Sequence, residues 1–533
     1  MTMKEISPEE LEALLSSSEH YALIDIRERP AYNRGQILGS TNVPRYELEF
    51  RISQLVPVQS TQIIVYDEDG ERSPLAAKTL EENGYTNTMV LKGGLSAWEK
   101  AGKPLVKGVN VPSKTFGEVV ASRHHINEIS PIELHEYLKR GEEFIGIEVR
   151  PREEVDHSGS IPGFINIQGV ELPLVANDLA KQGKKIVVTC AGRTRGIIAA
   201  TTLKMMGIDV FDLHNGTMGW VLSGFELENG TPAGPQPSDE SKEFANHFAA
   251  KLMKDNGIPT MLPEKLREMQ EAKSHLYVLD VRTKEEFASG HIPGAVSLPG
   301  GQAIQCADDF IAVRNSTIVF ACDDQVRSTI TAYWYLKMGF KNVYVLDGGM
   351  GLWQKSDFEV GQRTVVPIGL EKATNKITKI DATTLNREKS SKKIIFVGNS
   401  RDFKNGHIPG SVWLSRSFLE EKIAGIATIE DPMILTCRDG KQAILAAATL
   451  KELGYHDVQA LEGGTDAWGL AGFALEKGSS GIIGEADDIL PRSHERTRQQ
   501  MIEYLDWEEK LHDDPVYTKI LGPNGSTSQN SRI

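Results

Sequence analysis

Short runs of β-favouring apolar residues alternate along the chain with segments whose apolar residues have helical spacing. The run Ile186–Thr189 leads directly into Cys190, and a helically spaced segment begins at Gly196 after a short loop. This alternation predicts an α/β fold in which each parallel β-sheet is flanked by helices on both faces. Ligands of such folds bind beside the carboxyl ends of the strands, so the loop that carries Cys190 is the first place to look for chemistry.

Two phrases recur four times, which is typical of a tandem repeat. Copies of the first phrase, Gly-His-Ile-Pro-Gly or a variant of it, begin at Gly35, Gly159, Gly290 and Gly406. The second phrase is a glycine pair or Asn-Gly, three further residues and a tryptophan, and its copies end at Trp98, Trp220, Trp353 and Trp468. Between the phrases lies a sharp turn, 30 or 31 residues before the tryptophan, which carries Asp67, Cys190, Cys322 or Cys437. We expect the first phrase to form a fixed turn and the tryptophans to pack in the core.

The repeats predict four modules, which we place at residues 6–104, 128–228, 241–359 and 381–476. The Pro- and Gly-rich linker 229–240 is the clearest boundary and predicts two halves of two modules each. The tail, 477–533, contains a helical run near 492–511 with an apolar docking stripe of Met501, Tyr504, Leu505 and Leu511. Its last segment, 522–531, is predicted to be disordered.

Bulk composition excludes several classes of protein. The 533 residues carry a net charge of −14, which argues against general nucleic-acid binding. Four cysteines in so long a chain are not a disulfide framework and lack the spacing of a zinc site, and the His124-His125 pair has no third ligand nearby. The chain start has no apolar signal core and no window approaches a membrane span. We therefore expect a cytoplasmic protein without a metal or a cofactor.

The loop after Ile186–Thr189 has the features of an activated nucleophile. Main-chain amides of the loop and of the helix start would point toward Cys190 and favour an anion there. Arg193 and Arg195 add positive charge beside the thiol. Such surroundings lower a thiol pKa from about 8.5 to about 3.5–7.5, which predicts a thiolate that attacks an anionic substrate. A buried and unreactive cysteine is the alternative.

The turns of the first and third modules are less favourable for thiol chemistry. The first has Asp67 where the others have a thiol, so we expect it to be inactive and to serve a structural or docking role. In the third, Arg327 follows Cys322, but Asp323 and Asp324 oppose thiolate formation.

The turn of the fourth module is positive, because Arg438 and Lys441 outweigh Asp439 beside Cys437. Its first strand has nevertheless lost a feature of the other three, an acid-x-arginine phrase found at Asp25–Arg27, Glu148–Arg150 and Asp280–Arg282.

The acid-x-arginine phrase, Gly-His-Ile-Pro-Gly, the cysteine turn and Gly-Gly-x-x-x-Trp, in this order, resemble the rhodanese domain, here four in tandem over nearly all of 6–476. The resemblance implies a thiosulfate sulfurtransferase, whose turn cysteine takes the outer sulfur of thiosulfate, releases sulfite and passes the sulfur to cyanide or another thiophilic acceptor, including a protein thiol. Carried over by position, the persulfide carrier is Cys190 first, Cys437 second and Cys322 third. The cationic residues expected to bind the sulfonate are Arg193, Arg195, Arg327, Arg438 and Lys441.

Three alternatives to this function stay open. In the rhodanese family a less charged turn goes with 3-mercaptopyruvate, although the basic turn after Cys190 favours thiosulfate. A phosphatase or arsenate reductase of related fold would have five residues between cysteine and arginine, whereas Cys190 and Arg195 enclose four. A scaffold built of mostly inactive modules would bind partners and turn over little. The acceptor, the number of active modules and the oligomeric state are not predicted.

Overall fold

A computed structural model describes residues 3–356, 358–361 and 366–513. The chain divides into two compact units. One contains the first and fourth modules, and the other contains the second and third modules with the tail from Pro491 onward. The predicted halves, modules one with two and three with four, are therefore wrong.

The helix that follows the linker 229–240 explains this difference. It spans Asp239–Asn256 and packs against one helix of the second module and one of the third. Its Phe244 and Phe248 contact the core of the second module. The linker 229–240 therefore does not separate the second module from the third, because the amphipathic helix that follows it packs against both.

The elements follow one plan in every module. In the first module the strands are β1 Glu5–Ile6, β2 Tyr21–Asp25, β3 Thr41–Asn42, β4 Gln62–Tyr66 and β5 Thr88–Leu91, and the helices are α1 Pro8–Leu15, α2 Arg29–Arg34, α3 Leu48–Leu55, α4 Ser73–Glu82 and α5 Gly94–Lys100. Helix α6, Val111–His124, follows. The second module has β6 Asn127–Ile129, β7 Phe144–Glu148, β8 Ile165–Asn166, β9 Lys185–Thr189 and β10 Val210–Leu213, with α7 Pro131–Arg140, α8 Arg152–Ser158, α9 Leu172–Ala180, α10 Thr194–Met205 and α11 Gly216–Leu222. The bridging helix Asp239–Asn256 is α12.

The second half of the chain repeats the plan. The third module has β11 Thr260–Met261, β12 Leu276–Asp280, β13 Val296–Ser297, β14 Thr317–Ala321 and β15 Val343–Leu346, with α13 Pro263–Glu271, α14 Lys284–Ser289, α15 Gly300–Gln305, α16 Ala307–Phe310, α17 Val326–Lys337 and α18 Gly349–Lys355. Helix α19, Leu370–Lys376, precedes the fourth module. That module has β16 Thr378–Ile380, β17 Lys393–Phe396, β18 Val412–Trp413, β19 Met433–Thr436 and β20 Val458–Leu461, with α20 Ala382–Glu388, α21 Ser400–Asn405, α22 Leu419–Lys422, α23 Lys441–Glu452 and α24 Gly464–Leu470. The tail helix is α25, Arg498–Glu509.

Each module contains one five-stranded sheet, and the strand order of the first, β1-β5-β4-β2-β3, recurs in the other three. The strand pairs are parallel. Successive side chains of a strand point to opposite faces, so both faces must be covered. In β9, Ile186 and Val188 belong to one apolar cluster, and Val187 belongs to another with Leu134 and Trp220. The predicted α/β fold, with helices on both faces of parallel sheets, is confirmed.

The repeated tryptophans pack in the core, as expected from the sequence. All four are almost fully buried, and each indole nitrogen donates a hydrogen bond to the carbonyl six residues further on, at 2.8–3.0 Å. The acid-x-arginine phrases are structural as well. Arg150, for example, pairs with Glu148 at 2.7 Å and donates to the Gly159 carbonyl at 2.7 Å, which fixes the start of the first repeated phrase.

The predicted tail helix is present as α25, and its N-terminus is capped by Thr497 and Gln500. Met501, Leu505 and Leu511 of the predicted stripe are buried. The segment predicted to be disordered, 522–531, lies outside the described residues. Within those residues, no helix combines the length and apolar character needed to cross a membrane.

Candidate active site

The turn of each module follows the sheet's central strand and is held by the second repeated phrase. In the fourth module the carbonyl of Cys437 accepts a hydrogen bond at 2.9 Å from the amide of Thr465, at the start of α24. A Cβ on Gly464 would lie 2.1 Å from that carbonyl oxygen, and Gly464 has φ +61°. Only glycine fits there, which explains the invariant second glycine of the phrase within this chain.

The first module shows what the turn can bind. Asp67 is fully buried, and its two carboxylate oxygens accept hydrogen bonds from the amides of Gly70 at 2.9 Å and Arg72 at 2.7 Å. We call this set of inward-pointing turn amides the amide cup. A carboxylate fills the cup of the first module, so the cup binds an anion and has no thiol to activate.

Cys190 of the second module is 3% exposed. Its Sγ donates to the Arg193 carbonyl at 3.7 Å. Burial raises the pKa of the thiol to about 12, although Arg195 and the Gly196 amide act in the opposite direction. The lowered pKa expected from the sequence is therefore wrong for this state, because desolvation outweighs the nearby positive charge.

Arg193 and Arg195 are engaged by carboxylates and do not point free cations at a substrate. Arg193 makes two hydrogen bonds to Glu118, at 2.7 and 2.8 Å. Arg195 makes two to Glu154, at 2.7 and 2.9 Å. Both arginines were expected to bind a sulfonate, and in this conformation both are neutralised.

Cys322 of the third module is fully buried. It receives a hydrogen bond from the Ser328 amide at 3.4 Å and donates to the Asp324 carboxylate at 3.5 Å. Burial first and Asp324 second raise its pKa to about 11. The expected conflict between this thiol and Asp324 is confirmed. Arg327 is again bound by a carboxylate, Glu286, at 2.7 and 3.1 Å.

Cys437 of the fourth module borders an open cleft of about 380 Å³. The turn amides of Gly440, Gln442 and Ala443 can each hydrogen-bond to its sulfur and lower its pKa. Burial opposes them and, together with Asp439, raises the pKa to about 12. Cys437 therefore has three turn amides around its sulfur and a cleft beside it, while its side chain is 3% exposed, as that of Cys190 is.

The cleft wall is made by the first and fourth modules together, and its lining residues are Phe50, Gly398, Asp402, Cys437, Arg438, Asp439, Gln442 and Asp466. The Arg438 guanidinium lies 3.5 Å from Asp466 and is largely exposed. Lys441 lies 3.1 Å from Asp439 and is also exposed. Both predicted cations are thus exposed and paired with a carboxylate, and Arg438 is the one that lines the cleft.

Comparison with protein families identifies the repeated module. The rhodanese-like domain matches residues 7–101, 130–223, 262–356 and 381–471, well over half of the chain. The chain belongs to the rhodanese family.

One similar solved structure matches nearly the whole chain, and two similar curated proteins match about one module each. A crystal structure of thiosulfate sulfurtransferase from Pseudomonas aeruginosa matches with a TM-score of 0.89 and 34% identity, over 98% of this chain and 99% of that one. A sulfurtransferase of Allochromatium vinosum is 30% identical over 104 residues, which is 20% of this chain and 95% of the relative. Thiosulfate sulfurtransferase GlpE of Pseudomonas aeruginosa is 33% identical over 94 residues, 17% of this chain and 80% of the relative.

Sequence reasoning on this rhodanese chain located the turns but missed the carboxylates that bind their arginines. Glu154 and Glu286 each lie four residues after the arginine of an acid-x-arginine phrase. That spacing occurs in the second and third modules, whose turn arginines Arg195 and Arg327 are bound by these two carboxylates, so the signal was present. Phe50 carried no such signal, because its place in the cleft depends on packing of the first module against the fourth.

Proposed function

We propose that the chain is a thiosulfate sulfurtransferase whose turnover takes place at Cys437. The observation that carries this proposal is the position of Cys437 beside an open cleft with three turn amides around its sulfur. The cleft volume of about 380 Å³ lies within the range of about 300–1,000 Å³ that is usual for small-molecule sites. The full-length similarity to a thiosulfate sulfurtransferase supports the choice of donor.

The proposed reaction has two displacement steps. The Cys437 thiolate attacks the outer sulfur of thiosulfate; a new S–S bond forms while the S–S bond of thiosulfate breaks, and its electron pair leaves with sulfite. The outer sulfur of the resulting persulfide carries the negative charge, which the amide cup stabilises. Cyanide or a thiolate acceptor then attacks that outer sulfur, and the electron pair returns to Cys437. Arg438 and Lys441 attract the dianionic donor to the mouth of the cleft.

This proposal reverses the order of candidates that the sequence favoured. Cys190 has the more basic turn, but Glu118 and Glu154 bind its arginines, and Glu508 of α25 lies beside the turn. Burial does not separate the two thiols, because Cys190 and Cys437 are equally exposed. Cys322 lies beside Asp324. In ranking the three cysteines as sulfur carriers, we give more weight to the amide cup and to the adjoining cleft, which depend on the fold, than to the number of cations in the turn.

The turn of the fourth module also favours transfer of a single sulfur over phosphate chemistry. Gln442 stands where the second and third modules have Arg195 and Arg327, so no guanidinium closes this turn around a tetrahedral oxyanion. We expect sulfite release from thiosulfate and negligible phosphate release from aryl phosphates.

A persulfide map tests the proposal. The protein is treated with limiting thiosulfate and blocked with an alkylating reagent, and the peptides that contain Cys190, Cys322 and Cys437 are compared by mass spectrometry. We expect the mass of one added sulfur on the Cys437 peptide, with stoichiometric sulfite. Absence of added sulfur on all three peptides would favour a scaffold, and robust phosphatase activity would favour the other enzyme class.

Asp439→Asn is expected to shift the pH dependence of Cys437 reactivity to lower pH. The Asp439 carboxylate accepts a hydrogen bond from the thiol at 3.8 Å and, after burial, is the group that raises its pKa. Removing this charge lowers the thiol pKa, by about one unit for a neighbouring charge. The measurement is the alkylation rate of Cys437 against pH, and Asp466→Asn, at the cleft rim, is the matched control. An unchanged pH profile in Asp439→Asn would contradict the conclusion that the Asp439 carboxylate raises the pKa of Cys437.

A further inference from the structure

The tail helix α25 lies over the turn of the second module. Met501 and Leu505 are buried against Met218 of α11, with Tyr504 packed beside them. A side chain on Gly192, two residues after Cys190, would meet Met218 at 2.9 Å, the Glu508 carboxylate at 3.4 Å and the Tyr504 ring at 3.6 Å. The approach to Cys190 is therefore occupied by a segment that lies far away in sequence.

The last turn of α25 places two carboxylates on the polar groups that an anionic donor would use. Glu508 is 1% exposed and accepts a hydrogen bond from the Thr194 hydroxyl, at the first residue of α10, at 2.9 Å. Glu509 lies 3.4 Å from the guanidinium of Arg193. Carboxylates are favoured at a helix N-terminus and beside arginine for the same reasons as a sulfonate.

A buried lysine fixes the tail from its other side. The Lys114 ammonium, on α6, lies 4.8 Å from the Tyr504 ring centre and 4.9 Å from that of Trp507. Cation–π contacts stabilise most strongly when the cation is desolvated, as the buried Lys114 is. The tail is thus attached by an apolar cluster, by cation–π contacts and by carboxylates.

We propose that α25 is an autoinhibitory segment, which keeps Cys190 unreactive by placing Glu508 and Glu509 where the anionic sulfur donor would bind. The tail and the donor then compete for the Thr194 hydroxyl and for Nη1 of Arg193, the guanidinium nitrogen that faces Glu509 while the other two bind Glu118. Displacement of α25 would expose a second thiol whose turn is basic. This inference is independent of the sulfur transfer proposed at Cys437, since it concerns access to another module.

Peptide-resolved alkylation of the full-length protein tests the inference. Leu505→Asp puts a charge into the apolar cluster, and the double variant Glu508→Gln/Glu509→Gln removes the two anions while α25 keeps its apolar contacts. Because Leu505 is buried, Leu505→Asp should loosen α25 and raise the labelling rate of Cys190 about tenfold or more. The double variant should raise persulfide formation at Cys190 by thiosulfate.

Two controls separate this result from general unfolding and from the proposed function. Glu503→Gln changes an exposed acid of α25 whose partner is Gln499, and should leave Cys190 at the wild-type rate. The labelling rate of Cys437, in the other unit, should stay constant in every variant. Wild-type Cys190 that is labelled as fast as Cys437, or no increase at Cys190 in either tail variant, would overturn the inference. Neither outcome depends on whether Cys437 forms a persulfide.

Discussion

Cys437→Ser should lose about a thousandfold or more of the rate of sulfite release from thiosulfate, because a hydroxyl cannot carry the transferred sulfur. Cys190→Ser and Cys322→Ser should retain most of the activity, because Glu508 of α25 lies beside the turn of Cys190 and Asp324 accepts a hydrogen bond from Cys322. Steady-state kinetics with cyanide as acceptor provide the measurement. The change of one sulfur atom to oxygen at Cys437 is small, so the fold should persist.

Cys306→Ser is the matched control, since this buried thiol lies outside all four turns and accepts a hydrogen bond from Gln302 at 3.1 Å. It should turn over at the wild-type rate. Activity that survives Cys437→Ser and disappears in Cys190→Ser would instead place catalysis in the second module, as the sequence alone suggested.

Glu49→Gln should destabilise the unit that contains the first and fourth modules by about 3 kcal/mol or more, because it breaks a buried ion pair. Glu49, in the first module, binds Arg416 of the fourth at 2.5 and 2.8 Å and Arg45 at 3.1 and 3.2 Å. All three side chains are buried, so the variant leaves two guanidinium groups without their central carboxylate. Hydrogen exchange of β4 and β19, resolved by mass spectrometry, reports the stability of this unit separately from the other.

The pH dependence of the same variant gives a second measurement. Burial opposes the charge of Glu49, but Arg416 and Arg45 outweigh it and lower the pKa to about 2. A lowered pKa contributes stability above the unfolded value of about 4.3, and this contribution disappears as the pH falls from about 5 toward 2. Wild type and Glu49→Gln should therefore converge at low pH.

The control for this prediction is Glu47→Gln, which changes a partly exposed partner of Arg51 at 3.2 Å. Such pairs contribute about 0–1 kcal/mol, so its effect should be small at every pH. Equal stability of Glu49→Gln and Glu47→Gln would contradict the role of the buried pair.

The fold could be predicted because its signals are local and repeated. The strand before each turn, the glycine pair and the tryptophan all recur at nearly constant spacing, and each has a packing reason within its own module. The pairing of modules could not be predicted in this way. It depends on contacts such as that between Glu49 and Arg416, which no periodic pattern marks.

The positions of the four turns could be predicted from the sequence, whereas the burial and the pairing of their side chains could not. The four turns were placed correctly, including the one that carries Asp67, because each turn ends a strand and starts a helix. The thiol pKa of a turn cysteine could not be predicted from the sequence, because net charge along the sequence does not tell which arginine is already bound. Burial and distant carboxylates such as Glu508 decide that question, and both arise from tertiary structure.

Because the amide cup is made of main-chain atoms, tandem modules can diverge in their turn side chain after duplication and still keep the cup. In the first module one carboxylate satisfies donors that elsewhere surround sulfur, and the strand, turn and helix around it keep their geometry. A copy with aspartate in place of cysteine can therefore keep its turn amides hydrogen-bonded. The first module still supplies Phe50 to the cleft beside Cys437, which gives natural selection a reason to keep it.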